Sequence, residues 1–376
     1  MTAAARIALC GNVFPADDAS AVRAALRGPV RDWAERVRAG GGPARPGFGL
    51  YLTASAAAEL RGSAAARDGL AAALAAAGVD CWTANAFPFG GFHGARVKER
   101  AFLPDWTAEQ RVRYTEDVAE VLDLLAPPGA PLSISTCPLG YGPAARASPA
   151  ARAHLLRARD ACDRLAERRG APVILALEPE PDGAFERAAE LCGWLAELEG
   201  DRAPRTRRLG LCWDLCHGAV VGEAASEVRA ALDATGTPLG KAQVSSALAH
   251  PARADSRALA RLAEFAQDPY LHQARASDPG GVSRAWRDLP EFLADPASAS
   301  SADLRVHCHV PIHHADFGDG WTGTPWRAAV SALRARGAAL EVETYTLPVL
   351  PAALRAGLSL PEILAQEFLA CQEAAS

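Results

Sequence analysis

The chain has 376 residues, 49 % of them hydrophobic and 22 % charged, with a formal net charge of -5. That composition is ample for a large core and carries no basic block, which disfavours nucleic acid and anionic membrane surfaces as partners. No stretch approaches the roughly 18 apolar residues of a spanning helix, the N-terminus lacks the apolar core of a signal peptide, and the nine cysteines form no C-x-x-C pair. The expected setting is a reducing cytoplasm, without membrane insertion.

Short apolar runs alternate with Ala/Arg/Glu-rich amphipathic stretches along the chain. The predicted strands are Ile7–Val13, Phe48–Leu52, Asp80–Asn85, Leu132–Thr136, Val173–Leu177, Leu209–Trp213, Leu239–Val244, Leu304–Val310 and Ala339–Val342. Helices are predicted between them, among them Ala19–Arg38, Ala54–Ala77, Ala108–Leu125, Pro149–Arg168 and Ala184–Leu198. Strands that alternate with helices and lack a polar/apolar alternation belong to a parallel sheet buried on both faces. The expected fold class is α/β, a (β/α)8 TIM barrel forming a single domain over residues 1–376, with long loops on its C-terminal face. Nine runs are one too many for eight strands, and Leu304–Val310 is read as an extra strand or part of a long loop. Two connections are long. Phe87–Asp105 is rich in Gly, Phe, His and Pro, and an insertion at about residues 247–302 carries a predicted helix at Arg257–Phe265 and an exposed, mobile stretch at Asp295–Ser301.

Three of the strands run into carboxylates. Leu175-Ala-Leu-Glu-Pro-Glu-Pro181, Leu211-Cys-Trp-Asp-Leu-Cys-His217 and Ala339-Leu-Glu-Val-Glu-Thr-Tyr-Thr346 place Glu178, Asp214 and Glu341/Glu343 at strand ends. Lys241-Ala-Gln-Val-Ser245 places Gln243 on the strand between. Barrel active sites form where strands end. Acids gathered at one mouth repel each other unless a cation sits among them. Three carboxylates and an amide make an oxygen set suited to one divalent ion, Mg²⁺ or Mn²⁺; a histidine in the set would favour Zn²⁺ or Co²⁺. Glu341 and Glu343 share one side of a strand, and either could be the ligand. Glu343 lies nearer the rim and is preferred, as is Glu178 over Glu180, because Pro179 and Pro181 suggest that the strand has ended by Glu180. Glu180 and Glu341 are then expected to face substrate.

Histidines add a second set. Asp214 and His217 face the mouth together if the junction turns helically, which makes His217 a neighbour of the metal or a holder of a substrate hydroxyl. Val306-His-Cys-His-Val-Pro-Ile-His-His314 holds four of the nine histidines. His307 and His309 share one strand face, and His309 is expected to line the pocket. In the loop after the third strand, Asn85-Ala-Phe-Pro-Phe-Gly-Gly-Phe-His-Gly94 sets aromatics beside His93, a combination suited to a sugar-sized substrate.

The strand-end order Glu, Asp-x-x-His, Gln, Glu resembles the xylose-isomerase-like TIM barrels, the sugar phosphate isomerase/epimerase superfamily. The resemblance implies that Glu178, Asp214, Gln243 and Glu343 bind one divalent metal. The His-Cys-His segment falls where endonuclease-IV-like relatives place Asp-x-His; with His307 in the first position, a three-zinc site does not carry over. Further strings include Cys10-Gly-Asn12, Phe87-Pro-Phe-Gly90, Val97-Lys-Glu99, Pro104-Asp-Trp106, Ser133-Ile-Ser-Thr136, Leu177-Glu-Pro-Glu-Pro181 and Cys212-Trp-Asp-Leu-Cys-His217. They resemble the metabolite traffic protein EboE family, associated with secondary-metabolite precursors.

The expected activity is isomerisation or epimerisation of a small sugar-like or hydroxy-carbonyl compound, with Glu178 and Glu343 moving the proton. The alternatives are phosphodiester cleavage in the endonuclease-IV style and metabolite binding without turnover. The oligomeric state is open.

Overall fold

A computed structural model describes residues 6–91, 97–251, 254–267, 270–277, 283–296, 303–347, 350–351 and 357–376. Eight parallel strands close a barrel: β1 (Ile7–Cys10), β2 (Gly47–Tyr51), β3 (Asp80–Asn85), β4 (Leu132–Thr136), β5 (Val173–Leu177), β6 (Leu209–Asp214), β7 (Leu239–Val244) and β14 (Leu340–Val342). Closure comes from β1, which pairs with both β2 and β14. Residues Val173 to Leu177 are all buried, as are Leu209 to Asp214, which fits strands covered on both faces. Eight of the nine predicted strands thus form the barrel, although the first is shorter than expected. It ends at Cys10, and Gly11–Val13 turns into a 3-10 helix.

Two predicted helices are each broken in two. Ala19–Arg38 becomes Ala19–Ala25 and Arg31–Ala39, joined by a wide turn over Leu26–Val30. Pro29 has no N–H to continue the ladder, and Gly28 leaves helical geometry at φ -111°, ψ -107°. Ala54–Ala77 divides at Ser63, whose side chain accepts from Ala66 N–H and caps the second piece, Ala64–Ala77. The helices Glu109–Leu125 and Pro149–Arg169 follow the prediction closely, the latter between a Ser148 cap and a left-handed Gly170. Ala184–Leu198 starts later than predicted, at Ala188.

The long insertion is not an open loop. With the segment that follows it, it builds a second, antiparallel sheet from β8 (Ser246–His250), β9 (Ala274–Ser277), β10 (Ser283–Trp286), β11 (Asp303–Val310), β12 (Asp316–Gly318) and β13 (Trp321–Gly323), in the order β10-β9-β11-β8-β13-β12. Leu304–Val310, the surplus run, lies in this sheet as β11. Only Ser245 separates β7 from β8, so the sheet starts directly from the C-terminal end of a barrel strand. The predicted helix in the insertion is present as Ser256–Ala263, continued by a 3-10 turn. Residues 297–301 of the expected mobile stretch lie outside the described residues. Among the described residues, no helix is long and apolar enough to cross a membrane.

Candidate metal centre

Four neighbouring barrel strands, β5, β6, β7 and β14, carry the predicted ligands in that order. Glu178 directly follows β5, and its N–H still donates to Thr136 O at 3.0 Å, so the ladder fixes its backbone. Asp214 ends β6 and caps the helix Leu215–Val220; its Oδ1 accepts His217 N–H at 2.9 Å. That cap is the helical turn expected of Asp-x-x-His. Glu343 follows β14, held by its N–H to Val244 O at 3.1 Å. One oxygen each from Glu178, Asp214 and Glu343 lie within 4.8 Å of one another.

All three carboxylates are buried. Burial, then the charges of Glu343 and Asp214, push Glu178 well above the usual carboxylate range. Burial and Asp214 do the same to Glu343. Asp214 is raised by burial, against the pull of His309 and of the His217 and Cys216 N–H groups. Asn12 Nδ2 donates to Glu343 Oε1 at 2.5 Å, but among the described residues no hydrogen-bond partner reaches Glu343 Oε2 or Asp214 Oδ2. Buried acceptors without donors are costly. A hard divalent cation would satisfy both oxygens and offset the repulsion, so the donor set fits the expected ion.

Gln243 sits in register with Asp214 on one side and Glu341 on the other. Its Oε1 accepts from Cys212 Sγ at 2.9 Å, and Cys212 Sγ also lies 3.8 Å from Glu178 Oε2. Gln243 Nε2 is buried with no hydrogen-bond partner among the described residues. The oxygen that would serve as a ligand is therefore committed to a thiol, and turning the amide over would release it. Glu341 is not at the cavity. Its Oε2 lies 2.5 Å from Lys241 Nζ, and both side chains are fully buried. Lys241 Nζ also donates to Ala84 O at 3.2 Å. Burial opposes the ammonium, but Glu341 outweighs it and holds Lys241 above its ordinary value. This corrects the expectation that Glu341 meets substrate: the ion pair keeps it beneath the mouth. Gly49 makes room for it, since a Cβ there would collide with Glu341 Oε1.

The cavity above is lined by Glu178, Glu180, Glu343, His217, His307 and His309, together with Asn12, Asn85 and Lys98. Phe87, Phe102, Tyr270 and Tyr345 supply aromatic walls, packed edge to face in two pairs. Asp214 lies below this surface. The loop after β3 borders the cavity because buried Arg111 anchors it, donating to Ala86 O, Phe87 O and Pro104 O. Lys98 pairs with Asp288, tying that loop to the second sheet. His93 lies outside the described residues.

His307 and His309 come from β11, in the stretch where its register against β8 shifts between Val306 and Val310. Such a bulge re-aims side chains. His217 Nδ1 lies 3.1 Å from Pro179 O and 3.5 Å from Glu178 Oε1. Burial lowers His217 to about 3 and His309 to about 4, so the imidazoles are neutral at pH 7. Sequence reasoning missed Asn12, Lys241, Cys212 and the pocket position of His307. Cys10-Gly-Asn12 stands out as a string, but nothing local signals that its amide faces Glu343.

Two outcomes follow from these charges. Lys241→Met leaves Glu341 as a buried ion without a partner, which costs on the order of 3–5 kcal/mol. Denaturant unfolding should show that loss, and Lys241→Met/Glu341→Leu should recover most of it; an unchanged single variant would contradict the pairing. The second concerns pH in metal-free protein. Glu178 and Glu343 are raised in the folded state, so folding takes up protons and stability rises as pH falls through the raised values. His217 and His309 are lowered, so their effect opposes this only below the unfolded imidazole value of about 6.5. In the window above the imidazole range, lowering the pH should stabilise the wild type relative to Glu178→Gln/Glu343→Gln. A difference that stays flat across this window, measured by thermal melts, would contradict the clustered charges.

The closed eight-stranded parallel barrel, with acids at the ends of three of its strands, is a TIM-barrel fold. No protein-family model and no curated protein sequence matches the chain. Among solved structures, it is similar to a xylose isomerase-like TIM-barrel protein from Mycobacterium smegmatis, solved in complex with magnesium. Identity is 12 %, the match covers 99 % of this chain and 96 % of that one, and the TM-score is 0.50. A D-psicose 3-epimerase, solved in the presence of D-fructose, matches at 13 % identity over 97 % of each chain, with a TM-score of 0.47. A 3-keto-D-glucoside 4-epimerase from E. coli matches at 18 % over 64 % of this chain and 79 % of that one, with a TM-score of 0.35. The first likeness bears on the fold alone, and the other two are too distant to bear on this chain.

Proposed function

We propose that the chain is a divalent-metal-dependent isomerase or epimerase of a small sugar-like or hydroxy-carbonyl metabolite. One observation carries this reading: of the three clustered carboxylates, the two glutamates reach the cavity and the aspartate does not. Asp214 is thus suited to holding a cation, and Glu178 and Glu343 to meeting substrate as well. Glu178, Asp214 and Glu343 would hold the ion, with Gln243 joining once its amide turns. When bound, the ion supplies Lewis-acid polarisation of the carbonyl and stabilises the enediolate charge.

The chain's own residues would do the rest. One glutamate takes the proton from the carbon beside the carbonyl, and the electron pair moves into the enediolate. The other glutamate returns a proton to the neighbouring carbon or to the opposite face. Burial raises both groups, which brings their proton affinity closer to the working pH. Asn12 orients Glu343 through its amide. Glu180 and the imidazoles of His217 and His309 offer a polar wall to hydroxyls, and the aromatic side covers the apolar face of the substrate. The resemblance of its strings to the EboE family motivates placing this activity in the handling of a secondary-metabolite precursor.

The test is turnover of ketoses and hydroxy-carbonyl compounds by Mn²⁺-loaded protein in D₂O. Product should carry solvent deuterium at the reacting carbon. Conversion with no deuterium gained would contradict the two-glutamate route.

A further inference from the structure

We propose that the Lys98–Asp288 ion pair selects substrate by charge: the mouth takes an uncharged polyhydroxy carbonyl compound and rejects its phosphorylated counterpart. The proposal rests on the isomerase reading and adds the charge class of the substrate to it.

Among the described residues, Lys98 is the one Lys or Arg that lines the cavity. It would be the partner of a phosphate or carboxylate, but its charge is already committed. Lys98 Nζ donates to Asp288 Oδ2, and the two side chains are only 12 % and 13 % exposed. Asp288 is itself held in place. Its Oδ1 accepts Leu289 N–H at 3.0 Å, at the start of the helix Leu289–Ala294, and His272 N–H at 3.1 Å. That leaves Oδ2 for the lysine. Lys98 opens the 3-10 turn Lys98–Phe102 with φ 40°, in the left-handed region that a lysine rarely adopts. A backbone of that kind persists where its surroundings over-determine it, and the ion pair to the second sheet is a contact that holds this one.

The rest of the described lining supplies no counter-charge. The loop after β3 otherwise presents Phe87, Pro88, Val97, Ala101 and Phe102, all apolar. Besides Lys98 and the neutral imidazoles, the ionisable side chains of the lining are acidic, Glu178, Glu180 and Glu343 among them. Lys241, beneath the mouth, is paired with Glu341 in the same way. A divalent ion at the centre would set two positive charges against the three carboxylates Glu178, Asp214 and Glu343, and so leave none over. A phosphate entering here would lose its water without gaining a counter-charge, beside acids of its own sign. Hydroxyls and a carbonyl meet no such penalty. The apolar loop wall suits the carbon face of an uncharged sugar.

The test frees the lysine. Asp288→Asn and Asp288→Ser both keep a capping oxygen and shed the charge, and melting curves report that they fold. Metal-free protein is titrated with inorganic phosphate in a calorimeter. Wild type should bind it weakly, and the two variants about ten- to hundredfold more tightly, the scale of one hydrogen bond to a charged group. Lys98→Met/Asp288→Asn should return to the wild-type value. A second arm needs no substitution. Mn²⁺-loaded wild type is given free ketohexoses and the same sugars phosphorylated on the terminal hydroxyl, and kcat/KM should favour the free sugars. Variants that bind phosphate no better than wild type, or a wild type that prefers the phosphorylated sugars, would overturn the proposal. If no sugar of either kind is turned over while the variants gain phosphate, the isomerase reading fails and the charge selection at the mouth stands.

Discussion

Replacing Glu178 or Glu343 with glutamine is expected to lower turnover by about 10²–10⁴-fold, the range typical of lost general acid–base catalysis. Glutamine keeps the size of the side chain and one oxygen, so substrate binding and the fold should persist. At Glu343 the remaining oxygen can still accept from Asn12. The loss should appear in kcat more than in KM, because the proton moves only after binding. Glu343→Gln also removes one of the charges that raise Glu178, so the pH profile of that variant should shift with its activity. Full activity in both variants would eliminate the two-glutamate route.

Asp214→Ala is expected to abolish binding at the carboxylate centre and with it the stabilisation that the ion gives. Wild type should gain about 2.7 kcal/mol when free Mn²⁺ reaches 100 times its Kd, and the variant should gain nothing from that site. In the metal-free protein two effects nearly cancel. Alanine removes the cap on His217 N–H, which costs about 1 kcal/mol. It also removes a charge that raises Glu178 and Glu343. Asp214→Asn separates the two, since the amide keeps a capping oxygen and sheds the charge. Melting curves with and without Mn²⁺ report all of this. A large fall in apo stability for Asp214→Asn would point to a structural ion pair in place of a metal ligand.

The barrel was legible because strands buried on both faces read as continuous apolar runs, interrupted by amphipathic stretches. The same signal could not assign Leu304–Val310, which is as apolar as a barrel strand and gives no hint of its antiparallel partners. One of those, Ser246–His250, follows β7 after a single residue and reads as its continuation. The acids were legible because Glu178 and Asp214 each end an apolar run, where a carboxylate has no packing role. Glu341 and Glu343 could not be separated by their spacing. Lys241 separates them, and it comes from a neighbouring strand 100 residues away. Asn12 reaches Glu343 across 331 residues. Roles of that kind arise from barrel closure and leave no local mark. His307 was seen as part of a strand pair, but its approach to His217 depends on the second sheet.

The most direct measurement is anomalous diffraction from crystals soaked in Mn²⁺. A peak bounded by Glu178, Asp214 and Glu343, with oxygens at about 2.0–2.6 Å, is the predicted result. Crystals that take up manganese elsewhere and leave this cluster empty would contradict a metal centre at the barrel mouth.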